Sequence, residues 1–184
     1  MAKVTQVNVQ RKNDKGVIQG YATGKLTLDD MAGTVTIDGG GFLGGKWNVI
    51  IRPEQVTEFA IVMLDNVGNT GFFHMGGLIG LGIAKLMSRW AKVPALRIEQ
   101  SNAEPSNQLA VVSGAGWGTR GVTRMLMNDI AALFSQKGYK GPMPNLTDED
   151  PWKFPWVPVL VGVGLMAVVV IACIALQLAL GLNN

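Results

Sequence analysis

Along the first part of the chain, apolar and polar residues alternate with a period of two, which predicts β-strands. Residues 26–28 (LTL) and 34–37 (TVTI) alternate in this way, and the segment DDMAG stands between them. Aspartate and glycine favour tight turns, because each adopts turn conformations at little cost. The two runs therefore predict a β-hairpin.

The same period continues on both sides of a proline. Trp47, Val49 and Ile51 alternate with other residues, and the β-prone run 56–64 begins shortly after Pro53. A later pair of runs, ALRIEQ and NQLAVV, is joined by the turn-rich segment SNAEPSN. Proline interrupts a strand ladder, and β-branched residues favour one. These patterns predict further antiparallel strands.

One amphipathic helix is predicted after the last of these strands. Its apolar side chains recur at spacings of three and four, with Asp129 as the break in the stripe, and Gly138 is the predicted C-terminal stop. The stripe consists of Val122, Met125, Leu126, Asp129, Ile130, Leu133 and Phe134.

Near the C-terminus, residues 157–182 contain no charged side chain, and Gln177 is their one strongly polar residue. At about 1.5 Å per residue, this run exceeds the roughly 30 Å hydrocarbon core of a bilayer. It therefore predicts one transmembrane helix. Its position predicts a tail anchor, with the N-terminal domain in the cytosol and with Trp152, Lys153 and Trp156 at the membrane interface.

The segment 70–92 is apolar on one side and basic on the other, and it is too short to span a bilayer. Small residues recur in it every four positions and allow close helix packing; they are Gly76, Gly80 and Ala84. Its basic side is suited to lipid head groups or to a partner; the residues are Lys85, Arg89, Trp90 and Lys92. Three interpretations stay open: the segment lies on a membrane, packs over the end of a small barrel, or self-associates through its glycine face.

A glycine pattern raises the question of nucleotide binding. Gly116, Gly118 and Gly121 have the spacing of a dinucleotide fingerprint and stand between a strand-like run and the helix. The fingerprint requires a parallel βαβ unit, and no second strand pattern follows the helix. A second match, at residues 39–44, runs into a strand pattern. A nucleotide-binding enzyme is therefore the third and least favoured function.

The start of the same helix offers a weaker form of anion binding. Unpaired backbone N–H groups at a helix N-terminus attract phosphate, and Arg120 and Arg124 add positive charge on adjacent turns. The alternative is that Thr119 caps the helix and that the two arginines are solvated. The alternative is favoured, and the two arginines are kept as candidate lipid- or partner-binding residues.

Composition narrows the function further. Hydrophobic residues make up 48% of the chain, and the net charge of +3 is far from the basic excess of a nucleic-acid-binding protein. Cys173 is the single cysteine, and His74 is the single histidine. We therefore expect no disulfide, no metal site and no cofactor. Because no nucleophile, base or carboxylate pair is brought together by spacing, we expect no enzyme.

Three stretches taken in order, GKLTLDDMAGTVTIDG, KWNVIIRPEQVTEFAI and ALRIEQSNAEPSNQLAVVSG with the helix after it, resemble a bacterial PH-like or GRAM-type domain. The resemblance covers residues 20–138 and departs from the family pattern at 66–93. It implies a bent, partly open β-barrel with a C-terminal helix over one end. Such domains act as membrane-proximal binding or adaptor modules without catalysis.

Together these observations predict a mainly β protein: a PH-like small antiparallel β-barrel closed by a C-terminal amphipathic helix, with an apolar helical insert and one C-terminal transmembrane helix. The predicted organisation is a polar N-terminal segment at 1–19, the domain at 20–138 with its insert at 66–93, a Pro-rich linker at 139–156 and the transmembrane helix at 157–182.

The predicted function is a non-catalytic, tail-anchored, single-pass membrane protein. Its domain binds membrane lipid or other membrane-protein subunits, as the accessory subunit of a membrane complex, and it binds no nucleic acid. The alternative is a scaffold protein that forms a homo-oligomer through Gly76, Gly80 and Ala84.

Overall fold

The computed structural model describes residues 3–19, 22–41, 45–64, 92–115, 119–153 and 156–179. The chain divides into two units, Met1–Met63 with Pro94–Trp152 and Leu64–Val93 with Lys153–Asn184. Within these described residues, seven strands form one antiparallel sheet in the order β4-β3-β2-β1-β7-β6-β5. The strands are β1 Lys3–Arg11, β2 Ala22–Asp29, β3 Thr34–Gly41, β4 Gly45–Ile51, β5 Val56–Leu64, β6 Val93–Gln100 and β7 Leu109–Gly114.

The predicted hairpin of β2 and β3 is confirmed. Leu28 lies opposite Val35, and Asp29 begins the connection between the strands. The Asp29 carboxylate accepts hydrogen bonds from the backbone N–H groups of Met31 and Ala32, each at 3.0 Å. Gly33 closes the turn with a φ of +68°, a left-handed conformation that favours glycine.

The predicted strands around Pro53 and the later strand pair are also confirmed. β4 ends at Ile51, a short 3-10 turn covers Pro53–Gln55, and β5 begins at Val56. β6 and β7 pair antiparallel, with Leu96 opposite Val112. Val49 and Ile51 are fully buried, as their alternation predicts.

The N-terminal boundary drawn from the sequence differs from the structure. Residues 1–19 are predicted to precede the domain, whereas Lys3–Arg11 forms the central strand β1 between β2 and β7. Val7 and Val9 are buried in the core at 0% and 1% exposure. The alternation is present in VTQVNVQ. Glutamine and asparagine occupy outward positions, however, and their polarity led to the prediction of a polar segment outside the domain.

The amphipathic helix, α1, runs over Thr119–Gln136 and packs on the core face of the sheet. Its predicted stop is confirmed: Gly138 has a φ of +91°, and the N–H of Tyr139 donates to the carbonyl of Phe134 at 3.1 Å. Asp129, the break in the predicted stripe, forms an ion pair with Lys3 of β1.

The predicted stripe is wrong at one position. Met125 is 42% exposed, whereas Met127 is fully buried. The buried face begins with two threonines, Thr119 and Thr123, and so lies to one side of the purely apolar stripe. Thr123 can face inward because its hydroxyl donates to the Thr119 carbonyl at 2.6 Å and accepts from the Gly114 N–H at 2.8 Å.

Beside β4, side-chain amides take the place of a neighbouring strand. The buried Gln100 side chain accepts a hydrogen bond from the N–H of Arg52 at 2.8 Å and donates to the carbonyl of Ile50 at 2.9 Å. The Asn107 amide oxygen accepts from the N–H of Ile50 at 3.0 Å. These bonds link an end strand of the sheet to the β6–β7 connection, and they satisfy backbone groups that would otherwise be left at a sheet edge.

The second unit contains the apolar helix α2, Trp156–Ala179. Its window Leu160–Ala179 has a mean hydropathy of 2.6 and is only 6% buried. By length and composition this helix can cross a membrane, as the sequence predicts.

Candidate functional site

The exposed side of α1 and the segment that follows it form the candidate site. The segment from Tyr139 to Trp152, here called the strap, covers most of the predicted Pro-rich linker at 139–156. The structure packs the strap on the domain at both of its ends. The predicted linker is therefore part of the folded unit as far as Trp152.

An aromatic cluster holds the beginning of the strap. Tyr139 belongs to the buried core, and its ring centroid lies 5.5 Å from that of Phe134 and 6.5 Å from that of Phe59. The Tyr139 hydroxyl donates to the carbonyl of Pro142 at 3.0 Å. Because burial removes water from the phenol, it raises the pKa of Tyr139 above its usual range.

Charge and one further aromatic residue hold the end of the strap. Arg124 forms an ion pair with Glu149, with side chains 37% and 64% exposed. Arg120 donates to the carbonyl of Pro151 at 2.6 Å, and partial burial lowers the pKa of its guanidinium. Trp152 is the last residue of the 3-10 turn Asp150–Trp152, and it packs against the core.

The two predicted arginines thus lie on one face of α1, as their spacing implies, and both bind the strap. The sequence favours solvated arginines over a phosphate site, and neither interpretation includes these contacts. The acidic and proline residues that they contact lie about 25 to 31 positions further along the chain. A local pattern does not reveal such a pairing.

Of the three fingerprint glycines, Gly121 lies in the described part of the chain, and Gly116 and Gly118 lie outside it. β7 pairs antiparallel with both β1 and β6, so the strand before the helix has no parallel neighbour. A β-carbon at Gly121 would meet no atom within 4 Å, whereas one at Gly114 would lie 2.5 Å from Cβ of Val122. The close approach of strand and helix therefore depends on Gly114 and not on the third fingerprint glycine. At the second match, Gly41 pairs with Gly45 across the β3–β4 hairpin.

The other predicted site residues divide into two groups. Lys92, Lys153 and Trp156 are exposed in the second unit, and Trp156 begins α2. The remaining residues of the insert lie outside the described part of the chain; they are Gly76, Gly80, Ala84, Lys85, Arg89 and Trp90.

The β1–β2 connection presents an exposed apolar surface that the sequence patterns above do not predict. Val17 and Ile18 are 56% and 54% exposed at its tip, although both are aliphatic. The side chain of Asn13 accepts hydrogen bonds from the N–H groups of Lys15 and Val17 at 3.0 and 2.9 Å, and Gly16 has a φ of +75°. An ordered turn therefore holds two apolar side chains in solvent. The pair VI inside the polar stretch KNDKGVIQ is the sequence signal that could have indicated this tip.

Cations flank this aliphatic tip. Lys12 precedes it and pairs with Ile18 across a β-bridge, and its ammonium lies 3.4 Å from Oε1 of Gln108. Arg11, at the end of β1, places its guanidinium carbon 4.8 Å from the ring centroid of Trp47, within cation–π range. The tip combines apolar exposure with positive charge.

In the described part of the chain, no group of three or more histidine, cysteine, aspartate or glutamate side chains is arranged to hold a metal ion. Comparisons of this chain with protein-family models, with curated proteins and with solved structures give no match.

Proposed function

We propose that this protein is a non-catalytic membrane protein with a single span, whose β domain is an adaptor that binds anionic lipid or a membrane-protein partner. The observation that carries this proposal is the exposed apolar surface of α2. Only 6% of its window Leu160–Ala179 is buried. A surface of this size is unfavourable in water, and a bilayer or neighbouring membrane helices would cover it. The proposal includes a cytosolic domain and a role as an accessory subunit.

The topology of the domain supports a PH-like or GRAM-type interpretation of its fold. Strands β1–β4 form one antiparallel meander, β5–β7 follow, and α1 packs on the core face. The pairing of β1 with β7 joins these two groups, and the Gln100 amide links β4 to the end of β6. We propose that these contacts close a small barrel.

The β1–β2 tip is the proposed contact with lipid among the described residues. Two exposed aliphatic side chains on an ordered turn can enter the interfacial region, and neighbouring lysines are attracted to anionic head groups. Val17 and Ile18 supply the apolar part, and Lys12 and Lys15 supply the charge. The insert residues Lys85, Arg89, Trp90 and Lys92 are proposed as a second contact on their sequence pattern.

Alkaline carbonate extraction of membranes from expressing cells tests the anchoring. We expect the full-length protein to stay in the membrane pellet. The double variant Val168→Arg with Ile171→Arg should move to the supernatant, since each central arginine costs about 2.5 to 3.5 kcal/mol on insertion scales. The matched control, Val168→Leu with Ile171→Leu, should stay in the pellet. Release of the unchanged protein by carbonate would contradict the proposal.

Lipid contact of the tip can be measured in nanodiscs. In a Cys173→Ala background, an environment-sensitive fluorophore is attached at Val17→Cys or at Met31→Cys. Met31 is 89% exposed on the β2–β3 turn, at the other end of β2. We expect a blue shift at position 17 when phosphatidylglycerol replaces phosphatidylcholine, and none at position 31. Equal spectra at both positions would argue against lipid contact through this tip.

Co-purification in mild detergent addresses the protein partner, and the scaffold function remains the alternative. Mass spectrometry of the purified sample should find another subunit in constant ratio if the protein is an accessory subunit. Replacing Gly76 and Gly80 with leucine would abolish a homo-oligomer formed through that face. Loss of the oligomer with an unchanged blue shift at position 17 would favour the scaffold function.

A further inference from the structure

The two ends of the strap are held by contacts of different strength. At its beginning, Tyr139 is buried among Phe59 and Phe134. At its end, the ion pair of Arg124 and Glu149 is exposed to solvent, and a single hydrogen bond from Arg120 to the Pro151 carbonyl stands beside it. Exposed ion pairs contribute little to stability, and salt screens them further. The end of the strap is therefore the weaker attachment.

A buried polar atom weakens the same end. The indole nitrogen of Trp152 is buried and finds no hydrogen-bond acceptor in the described part of the chain. Burying a donor without an acceptor costs free energy, which offsets part of what the packed ring contributes. Release of Trp152 into water would restore a partner to this N–H group. The unpaired N–H group therefore lowers the free energy that holds this end of the strap docked.

We propose that the strap is a reversible latch that gives the chain between the domain and α2 two lengths. With the strap docked, only residues 153–155 separate Trp152 from Trp156, a chain reach of about 14 Å. With the strap released as far as Tyr139, the free chain extends from residue 140 to 155, and the reach from Tyr139 to Trp156 rises to about 60 Å. The ion pair of Arg124 and Glu149, the hydrogen bond from Arg120 to the Pro151 carbonyl and the packing of Trp152 hold the short form.

This inference goes beyond the proposed adaptor function and does not depend on the partner that the domain binds. Only the consequence of the latch, which is the distance that the domain can move from the membrane, rests on the proposed membrane anchoring. The latch itself is a property of the domain and the strap. It can therefore be tested separately from the anchoring.

Proteolysis of the full-length protein in detergent micelles tests the latch. Chymotrypsin cleaves after Trp152, and mass spectrometry quantifies the new terminus. When opening is fast, the cleavage rate follows the population of the released strap. We expect Glu149→Lys to raise this rate roughly three- to tenfold, since the pair is lost and a repulsion replaces it. The charge-exchanged variant Arg124→Glu with Glu149→Lys should return the rate to near that of the unchanged protein.

A matched variant controls for net charge. Glu104 lies on the β6–β7 connection and is exposed, so Glu104→Lys makes the same charge change away from the strap. It should leave cleavage after Trp152 unchanged, and all variants should keep the melting temperature of the domain. Cleavage of Glu149→Lys at the original rate would overturn the proposal, and so would a charge-exchanged variant that is cleaved as fast as Glu149→Lys. Either failure would leave the carbonate extraction unaffected, so the latch and the anchoring can fail separately.

Discussion

The indole of Trp47 lies directly on Gly39, its partner in the β3–β4 ladder. A β-carbon at Gly39 would lie 1.9 Å from Cζ2 of the indole, and one at Gly24 on the next strand would lie 3.0 Å from Cη2. Because neither glycine has a side chain, the indole can pack directly on the backbone of the two strands, where it also contacts the core. The guanidinium of Arg11 also lies over the indole, with its carbon 4.8 Å from the ring centroid. Gly39 and Gly24 therefore leave the space that the indole of Trp47 occupies.

Gly39→Ala should destabilise the domain through this contact. The new methyl group cannot coexist with the indole, so the ring has to move, and overpacking of this kind costs about 1 to 3 kcal/mol. In another strand position the same substitution would be mildly favourable, because glycine weakens strands. The measurement is chemical denaturation of the full-length protein in mild detergent, followed by near-UV circular dichroism.

The double-mutant cycle with Trp47→Ala identifies the cause. When the indole is absent, Gly39→Ala should change the free energy of unfolding by less than about 0.5 kcal/mol, and the coupling between the two sites should be large. An equal loss from Gly39→Ala with and without Trp47 would show that the backbone, and not the indole, excludes a side chain there.

The two glycines near the start of α1 should respond in opposite directions. Gly121→Ala should stabilise the protein by about 0.5 to 1 kcal/mol, since alanine favours a helix and the site has open space. Gly114→Ala should destabilise it by about 1 to 3 kcal/mol, because the methyl group would overlap Val122. Denaturation of both single variants checks this. Destabilisation by Gly121→Ala would mean that an additional group packs on that glycine.

Local patterns were sufficient for the β2–β3 hairpin and for the C-terminal end of α1. The β2–β3 hairpin is determined by alternation and by the turn residues Asp29 and Gly33, which act within a few positions of each other. The same holds for Gly138 at the end of α1. The helix α2 can be predicted from its own apolar run, because the prediction depends on length and composition and on no other element.

Features that depend on distant partners could not be predicted in this way. Residues of the strap have the composition of a linker, and their attachment requires Arg124 and a place for Trp152 on the core. The inward position of Thr123 depends on a hydrogen bond with β7. Each of these contacts joins residues that no local pattern associates.

The buried amide of Gln100 should be important for stability. Gln100→Ala removes an acceptor from the Arg52 N–H and a donor from the Ile50 carbonyl, so we expect a loss of about 2 kcal/mol or more. Gln100→Glu keeps the acceptor but loses the bonds that the amide donates to the carbonyls of Ile50 and Asn107, and it buries a charge, so it should destabilise the protein as well. Gln136→Ala, at an exposed position, is the control and should lie within about 0.5 kcal/mol of the original. Equal denaturation midpoints for Gln100→Ala and the control would show that water replaces the amide.

The phenol of Tyr139 should make stability depend on alkaline pH. Burial raises the pKa of Tyr139 in the folded state above that of the unfolded chain, which is about 10. The folded protein therefore holds this proton longer, and unfolding above that pH releases it. Stability from this group is fully present below about pH 10 and is lost as the pH rises through the folded pKa.

The variant Tyr139→Phe has no such proton and tests this dependence. The difference in free energy of unfolding between the original protein and Tyr139→Phe should therefore narrow from about pH 9 to about pH 11.5. At pH 8 the variant should be less stable by about 1 kcal/mol, since it loses the hydrogen bond to Pro142. A gap that is constant across this range would mean that the phenol titrates alike in both states and that solvent reaches it in the folded protein.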